Sequence, residues 1–156
     1  MSKNELALVS FKKHHGRYTA YLPMDQFLSS NRDLEPVLKE ATQLYEHSIA
    51  SMQAVVAEIN TFRNNRSLLP ARKIWKLGNL IFEWVESLER LTLQIDGIYD
   101  HLARDLSVKR KWLEKVVIFR RYLPDEYIIP ESLNWGRCEK GTRRAAEKLR
   151  KGITPN

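Results

Sequence analysis

The chain has 156 residues, enough to bury a core without disulfides or a structural metal and a length that suits one domain with or without an appendage. Hydrophobic residues make up 43% of it and four tryptophans are spread along it, which excludes a disordered chain, and the single cysteine, Cys138, excludes an internal disulfide. The net charge of +7 is unevenly placed: residues 1–103 hold 12 Lys/Arg and 12 Asp/Glu, whereas residues 104–156 hold 14 and 7. A basic segment on a neutral body is the footprint of a polyanion binder, although many soluble proteins are mildly basic. No run of 18 apolar residues and no signal-peptide pattern is found, so a cytoplasmic protein with no membrane partner is expected.

In chain order, residues 1–32 form a first segment. The β-prone runs 6–11 and 17–22 flank Gly16, which is placed to close a small N-terminal β-hairpin. Residues 33–97 form a second segment, a long helical hairpin. Asp33 is a candidate N-cap with Pro36 in the first turn. Leu38, Ala41, Tyr45, Ser48, Met52, Val55, Ile59 and Phe62 then recur at steps of three and four, which puts them on one stripe of a helix. Residues 63–67 break the pattern and read as a turn. Ile74, Leu77, Ile81, Trp84, Leu88, Leu91 and Ile95 repeat the spacing up to Asp96, with Gly97 placed as a left-handed C-cap. Two apolar stripes joined by a short connection predict an antiparallel pair, as a coiled coil, one face of a bundle, or a surface for a homodimer or a helical partner through residues 38–95.

Residues 98–156 carry the basic region. A helix-turn-helix needs an apolar and a small residue in its first helix, an apolar residue closing it, and another opening the second. Leu102, Ala103, Leu106 and Val108 fit those roles, with Leu113 and Val116 anchoring the second helix. Ser107 stands where the turn commonly has glycine; serine turns and caps readily but tolerates positive φ less well. The second helix of such a motif lies in the DNA major groove. Lys109, Arg110, Lys111 and Lys115 sit in its first half, and Arg120 and Arg121 at its end are placed for phosphates. Glu114 either accepts from a cytosine amino group or pairs with Arg110 at i, i+4. A last helix over 138–150 brings Arg137, Lys140, Arg143, Arg144 and Lys148 as backbone-gripping cations, or as a solvated surface. Trp135 is expected to dock that helix on the core.

Residues 70–149, about half the chain, resemble the N-terminal domain of YhcG-type proteins of the PD-(D/E)XK nuclease superfamily. The resemblance rests on Trp75-Lys76-Leu77-Gly78, Leu102-Ala103-Arg104-Asp105-Leu106, Trp112-Leu113, Phe119-Arg120-Arg121-Tyr122-Leu123-Pro124 and Leu133-Asn134-Trp135. It implies a helix-turn-helix domain linked to DNA, mobile elements or defence. No catalytic half follows, so nuclease activity is not carried over.

Enzyme readings find little. His14 and His15, adjacent on a strand, point to opposite faces; His47 and His101 lack thiol or carboxylate partners at ligand spacing. No glycine-rich phosphate loop is present. Cys138 lies among Arg137, Lys140 and Arg143, cations expected to lower its pKa, but it has no base. The expectation is an all-α, non-catalytic, double-stranded-DNA-binding protein without metal or cofactor, a regulator or accessory factor of a mobile element or defence system. Alternatives are a helical subunit of a larger ribonucleoprotein or defence complex and, more weakly, an antitoxin or immunity protein.

Overall fold

The protein is all-α, and its computed structural model describes residues 10–11, 35–91 and 95–156. Helix α1 spans Glu35–Asn64 and α2 spans Ala71–Arg90. The short helix α3 covers Ile98–Asp105, α4 covers Arg110–Tyr122 and α5 covers Thr142–Arg150. Single 3-10 turns at Glu126–Ile128 and Trp135–Arg137 link α4 to α5.

The chain divides into two compact units that do not follow the sequential segments 1–32, 33–97 and 98–156. The first unit takes residues 1–50 and 83–110, the second 51–82 and 111–156. Both long helices contribute part of their length to each unit, because their apolar stripes run the full length while different later segments complete the burial.

In the first unit Ala41, Tyr45 and Ile49 of α1, Trp84 and Leu88 of α2, and Leu102, Ala103 and Leu106 around α3 are buried. The rings of Tyr45 and Trp84 lie 5.2 Å apart, and the Tyr45 hydroxyl donates to the Asp105 carboxylate. The sequence pattern carried α2 on to Asp96; instead the helix ends at Arg90, and Ile95–Asp96 pairs antiparallel with Ser10–Phe11. Gly97 does adopt the left-handed conformation, at φ 63°, but as the residue that opens α3. A left-handed residue reverses the chain equally well on either side of a helix. The partner run 17–22 of the expected hairpin, and the Asp33 cap, lie outside the described residues.

The second unit buries Met52, Val55, Val56 and Ile59 of α1 and Ala71, Ile74, Leu77 and Ile81 of α2. Ile49 and Val56, which the three/four stripe leaves out, widen the buried face of α1 in the two units. Trp112, Leu113, Val116 and Phe119 of α4 and Ala145, Ala146 and Leu149 of α5 complete this core. Each of the Val, Leu, Ile, Phe and Met side chains among them contributes roughly 1.5–3 kcal/mol when fully removed from water. The segment before α5 is tied to the start of α2 by backbone bonds from Ala71 N–H to Leu133 O (2.9 Å) and from Trp135 N–H to Leu69 O (2.7 Å). Trp135 is buried with its ring edge-on to Phe119 at 5.2 Å, so it docks this segment on the core. That 3-10 turn also delays α5, which begins at Thr142 and not near residue 138.

Candidate nucleic-acid interface

Charge follows the two units more sharply than it follows sequence position. The second unit holds 16 Lys/Arg and 7 Asp/Glu, a net +9, and the first holds 10 and 12, a net −2. The cations of α1 and α2 at Arg63, Arg66, Arg72, Lys73 and Lys76 fall in the basic unit, although the sequence split at residue 103 places them in the neutral part.

The crossing of α4 over α2 in this unit is set by Gly78. A Cβ there would stand 2.7 Å from the Arg120 Cβ and 2.8 Å from the Val116 carbonyl oxygen. The missing side chain therefore lets the two backbones approach. One turn earlier, Trp75 Nε1 donates to the Leu123 carbonyl at 2.7 Å, tying the end of α4 to α2. Arg120 lies between these residues: its Nε donates to Asn79 Oδ1 at 2.8 Å, and its guanidinium lies 4.2 Å from the Phe82 ring centroid and 5.4 Å from that of Trp75. Such contacts hold the cation to the protein. Arg120 is thus a half-buried packing residue, unlike its exposed neighbour Arg121.

Of the other residues named from sequence, Lys109, Arg110, Lys111, Arg121, Arg137, Lys140, Arg143, Arg144 and Lys148 are exposed, and Lys115 is half-exposed. Two have ion-pair partners at 3.2 Å: Arg110 with Asp100, and Arg143 with Glu147. Arg110 thus reaches an acid of α3, ten residues back. Lys109 and Arg110 belong to the first unit; from Lys111 on, the set belongs to the second. Arg143 also lies 5.1 Å from the Tyr122 ring, which brings the start of α5 to the end of α4. There Lys140, Gly141, Thr142, Arg143, Arg144 and Glu147 line a shallow groove, and Gly141 leaves α5 without a side-chain cap. Helix N–H groups and cations together make such a groove attractive to anions.

The residues that predict the turn between α3 and α4 show how it is built. Leu106 closes α3, Ser107 takes φ 54°, and the Ser107 and Val108 N–H groups donate to Arg104 O (3.1 Å) and Ala103 O (2.9 Å). These two bonds are the Schellman pattern with serine in the glycine position. The turn at the end of α1 repeats it: Arg66 takes φ 54°, with Arg66 N–H to Arg63 O (3.1 Å) and Ser67 N–H to Phe62 O (2.9 Å). Sequence analysis gave this turn no binding role. Its only signal was a pair of arginines in a break between two apolar stripes.

Burial shifts two titratable groups of the sequence reading. Cys138 is buried, and burial pushes its thiol up to about 11 instead of the neighbouring cations pulling it down. His101 is held below its usual value, first by partial burial and then by Arg104. No group of three His, Cys, Asp or Glu among the described residues is placed to hold a metal ion, and no helix among them is long and apolar enough to cross a membrane. Comparison with known protein families, curated proteins and solved structures finds no match to this chain.

Proposed function

We propose that this chain is a non-catalytic DNA-binding protein whose basic second unit holds duplex DNA. In this reading α3 and α4 act as a helix-turn-helix. Lys111 and Lys115 lie along the groove-facing part of α4, Arg121 lies at its end, and the cations at and before α5 grip the phosphate backbone. The observation that carries the proposal is the charge segregation: a net +9 in one compact unit, displayed on exposed side chains. Like charges crowded on one surface repel one another, and a polyanion relieves that repulsion while releasing its own counterions. The resemblance to the YhcG-type domain adds the biological setting, a regulator or accessory factor of a mobile element or defence system.

The test is binding of the purified chain to random duplex DNA, single-stranded DNA and duplex RNA across a salt series. Preference for duplex DNA is expected, with log affinity falling against log salt by about 0.9 per phosphate contacted. Absence of binding at low salt rejects the proposal. A preference for RNA moves the chain to the alternative reading, a helical subunit of a ribonucleoprotein complex.

A further inference from the structure

We infer that the turn joining α1 and α2 is a phosphate-binding element of the same interface, with Arg63 and Arg66 as its contacts, beside Lys111 and Lys115 of α4. The inference rests on the DNA-binding reading and extends it to residues that neither the motif nor the basic C-terminal region includes.

Three observations carry it. The first is placement. The Arg63 guanidinium lies 4.9 Å from the Trp112 ring centroid, so the end of α1 abuts the start of α4. Lys111 and Lys115 are four residues apart and share one stripe of α4, and Lys115 is one helical turn from Trp112. Arg63 and Arg66 at the end of α1 and Lys111 and Lys115 on the first turns of α4 therefore flank this one contact in the second unit.

The second is availability. Among the described residues Arg66, Lys111 and Lys115 have no carboxylate within ion-pair distance, and Arg63 stacks on an aromatic ring. In the same unit Arg72 pairs with Glu131 at 3.3 Å, and Lys73 pairs with Glu58. Glu131 and Glu58 thus pair with cations at the start of α2, while at this end Arg63, Arg66, Lys111 and Lys115 outnumber the one nearby acid in sequence, Glu114. A guanidinium stacked on a ring keeps its N–H edge directed outward, the geometry that phosphate oxygens accept from two donors.

The third is backbone conformation. Arg66 holds φ 54° at the position that ends α1, where glycine fits without cost and asparagine next best. Asn65 immediately precedes it, so a one-residue shift in sequence would have given the turn the favoured residue. A long cation in a conformation that disfavours it points to a role for its side chain.

The experiment compares the full chain with Arg66→Gly, Arg63→Ala and the double variant, reading urea unfolding and affinity for a random duplex across salt. Arg66→Gly relieves the strained position, so its stability holds or rises while affinity drops roughly tenfold and the salt slope becomes shallower by about one. The double variant becomes shallower by about two. Wild-type binding with affinity and slope unchanged in Arg66→Gly and in the double variant overturns this inference and leaves the DNA-binding reading standing. Failure of the wild type to bind any nucleic acid overturns that reading instead. Loss of affinity in Arg63→Ala alone, with an unaltered slope, assigns Arg63 to packing on Trp112 and overturns its role as a phosphate contact.

Discussion

The two compact units are built from halves of the same two long helices, yet they handle charge in opposite ways. Among the described residues of the first unit, several ionisable groups turn on one another. Tyr45 donates to Asp105, Arg104 Nε lies 3.4 Å from the same carboxylate, and Arg110 reaches Asp100. Its net charge is −2, and the Asp105 side chain is almost fully buried. The second unit keeps its interior apolar and puts its cations outside, with few acids to meet them. The difference teaches that a helix can serve a neutral core at one end and a charged surface at the other. The basic surface is thus defined by what packs around a helix half and not by position in the sequence.

The largest expected effect tests whether the first unit is only a scaffold. Trp84 is 2% exposed and packs on Tyr45, so Trp84→Ala leaves a cavity costing about 3–5 kcal/mol in urea unfolding. Under conditions where circular dichroism shows the variant folded, its affinity for duplex DNA is expected to match the wild type. A fall in affinity there breaks the division of labour. Next is Gly78→Ala in the second unit. Helix propensity alone favours alanine by about 1 kcal/mol, but a Cβ at 2.7–2.8 Å from Arg120 and the Val116 carbonyl forces α4 away from α2. Overpacking of this kind costs about 1–3 kcal/mol and wins. A stabilised variant would show that the close crossing does not exist.

An effect of about the same size separates the units by pH. Tyr45→Phe removes the donor to a buried carboxylate, at a cost of about 1–3 kcal/mol at neutral pH. Burial, then the bond to Asp105, raises the Tyr45 pKa far above the usual tyrosine range. The unfolded chain therefore loses this proton near pH 10 while the folded chain keeps it, so stability falls as pH rises from about 10. In the second unit the Cys138 thiol, moved from 9.0 to about 11, has the same sign over a lower window. Unfolding free energies measured from pH 8 to 11 should decline, with Cys138→Ala flattening the earlier part and Tyr45→Phe the later. At neutral pH Cys138 is expected to resist alkylation until the chain unfolds.

How far the fold could be read from sequence depended on which signal was local. Helical periodicity is local, so the stripes from Ala41 to Ile59 and from Ile74 to Leu88 were legible, as was the burial of Trp135. The end of α2 was not, because Ile95 continues the three/four spacing while the strand pairing of Ile95–Asp96 with Ser10–Phe11 is set by residues some eighty positions away. Charge was legible only as a total. Asn79, Phe82 and Trp75 take Arg120 into the packing, and Asp100 takes Arg110, partners that no spacing rule exposes. Cys138 was misread for a related reason. Its neighbours in sequence are cations, but burial governs its pKa.

The smallest expected effect uses a feature the units share. Among the described residues, each has one non-glycine residue at φ 54° ending a helix in a Schellman turn: Ser107 after α3 in the first unit, Arg66 after α1 in the second. Neither side chain is needed for the two backbone bonds of its turn, since both bonds use N–H and carbonyl groups. Replacing either with glycine removes the steric cost of the left-handed region but enlarges the entropy of the unfolded chain. The left-handed penalty of about 1–2 kcal/mol exceeds the entropic cost of glycine, about 0.5–1 kcal/mol, so the balance favours glycine slightly. Ser107→Gly is therefore expected to raise the urea midpoint slightly without changing DNA affinity or its salt slope, whereas Arg66→Gly raises or preserves stability and lowers affinity. The pair isolates the side chain from the turn. If Ser107→Gly weakened binding as much as Arg66→Gly, the geometry of the helix ends would control affinity, and the contrast between a neutral and a basic unit would no longer explain it.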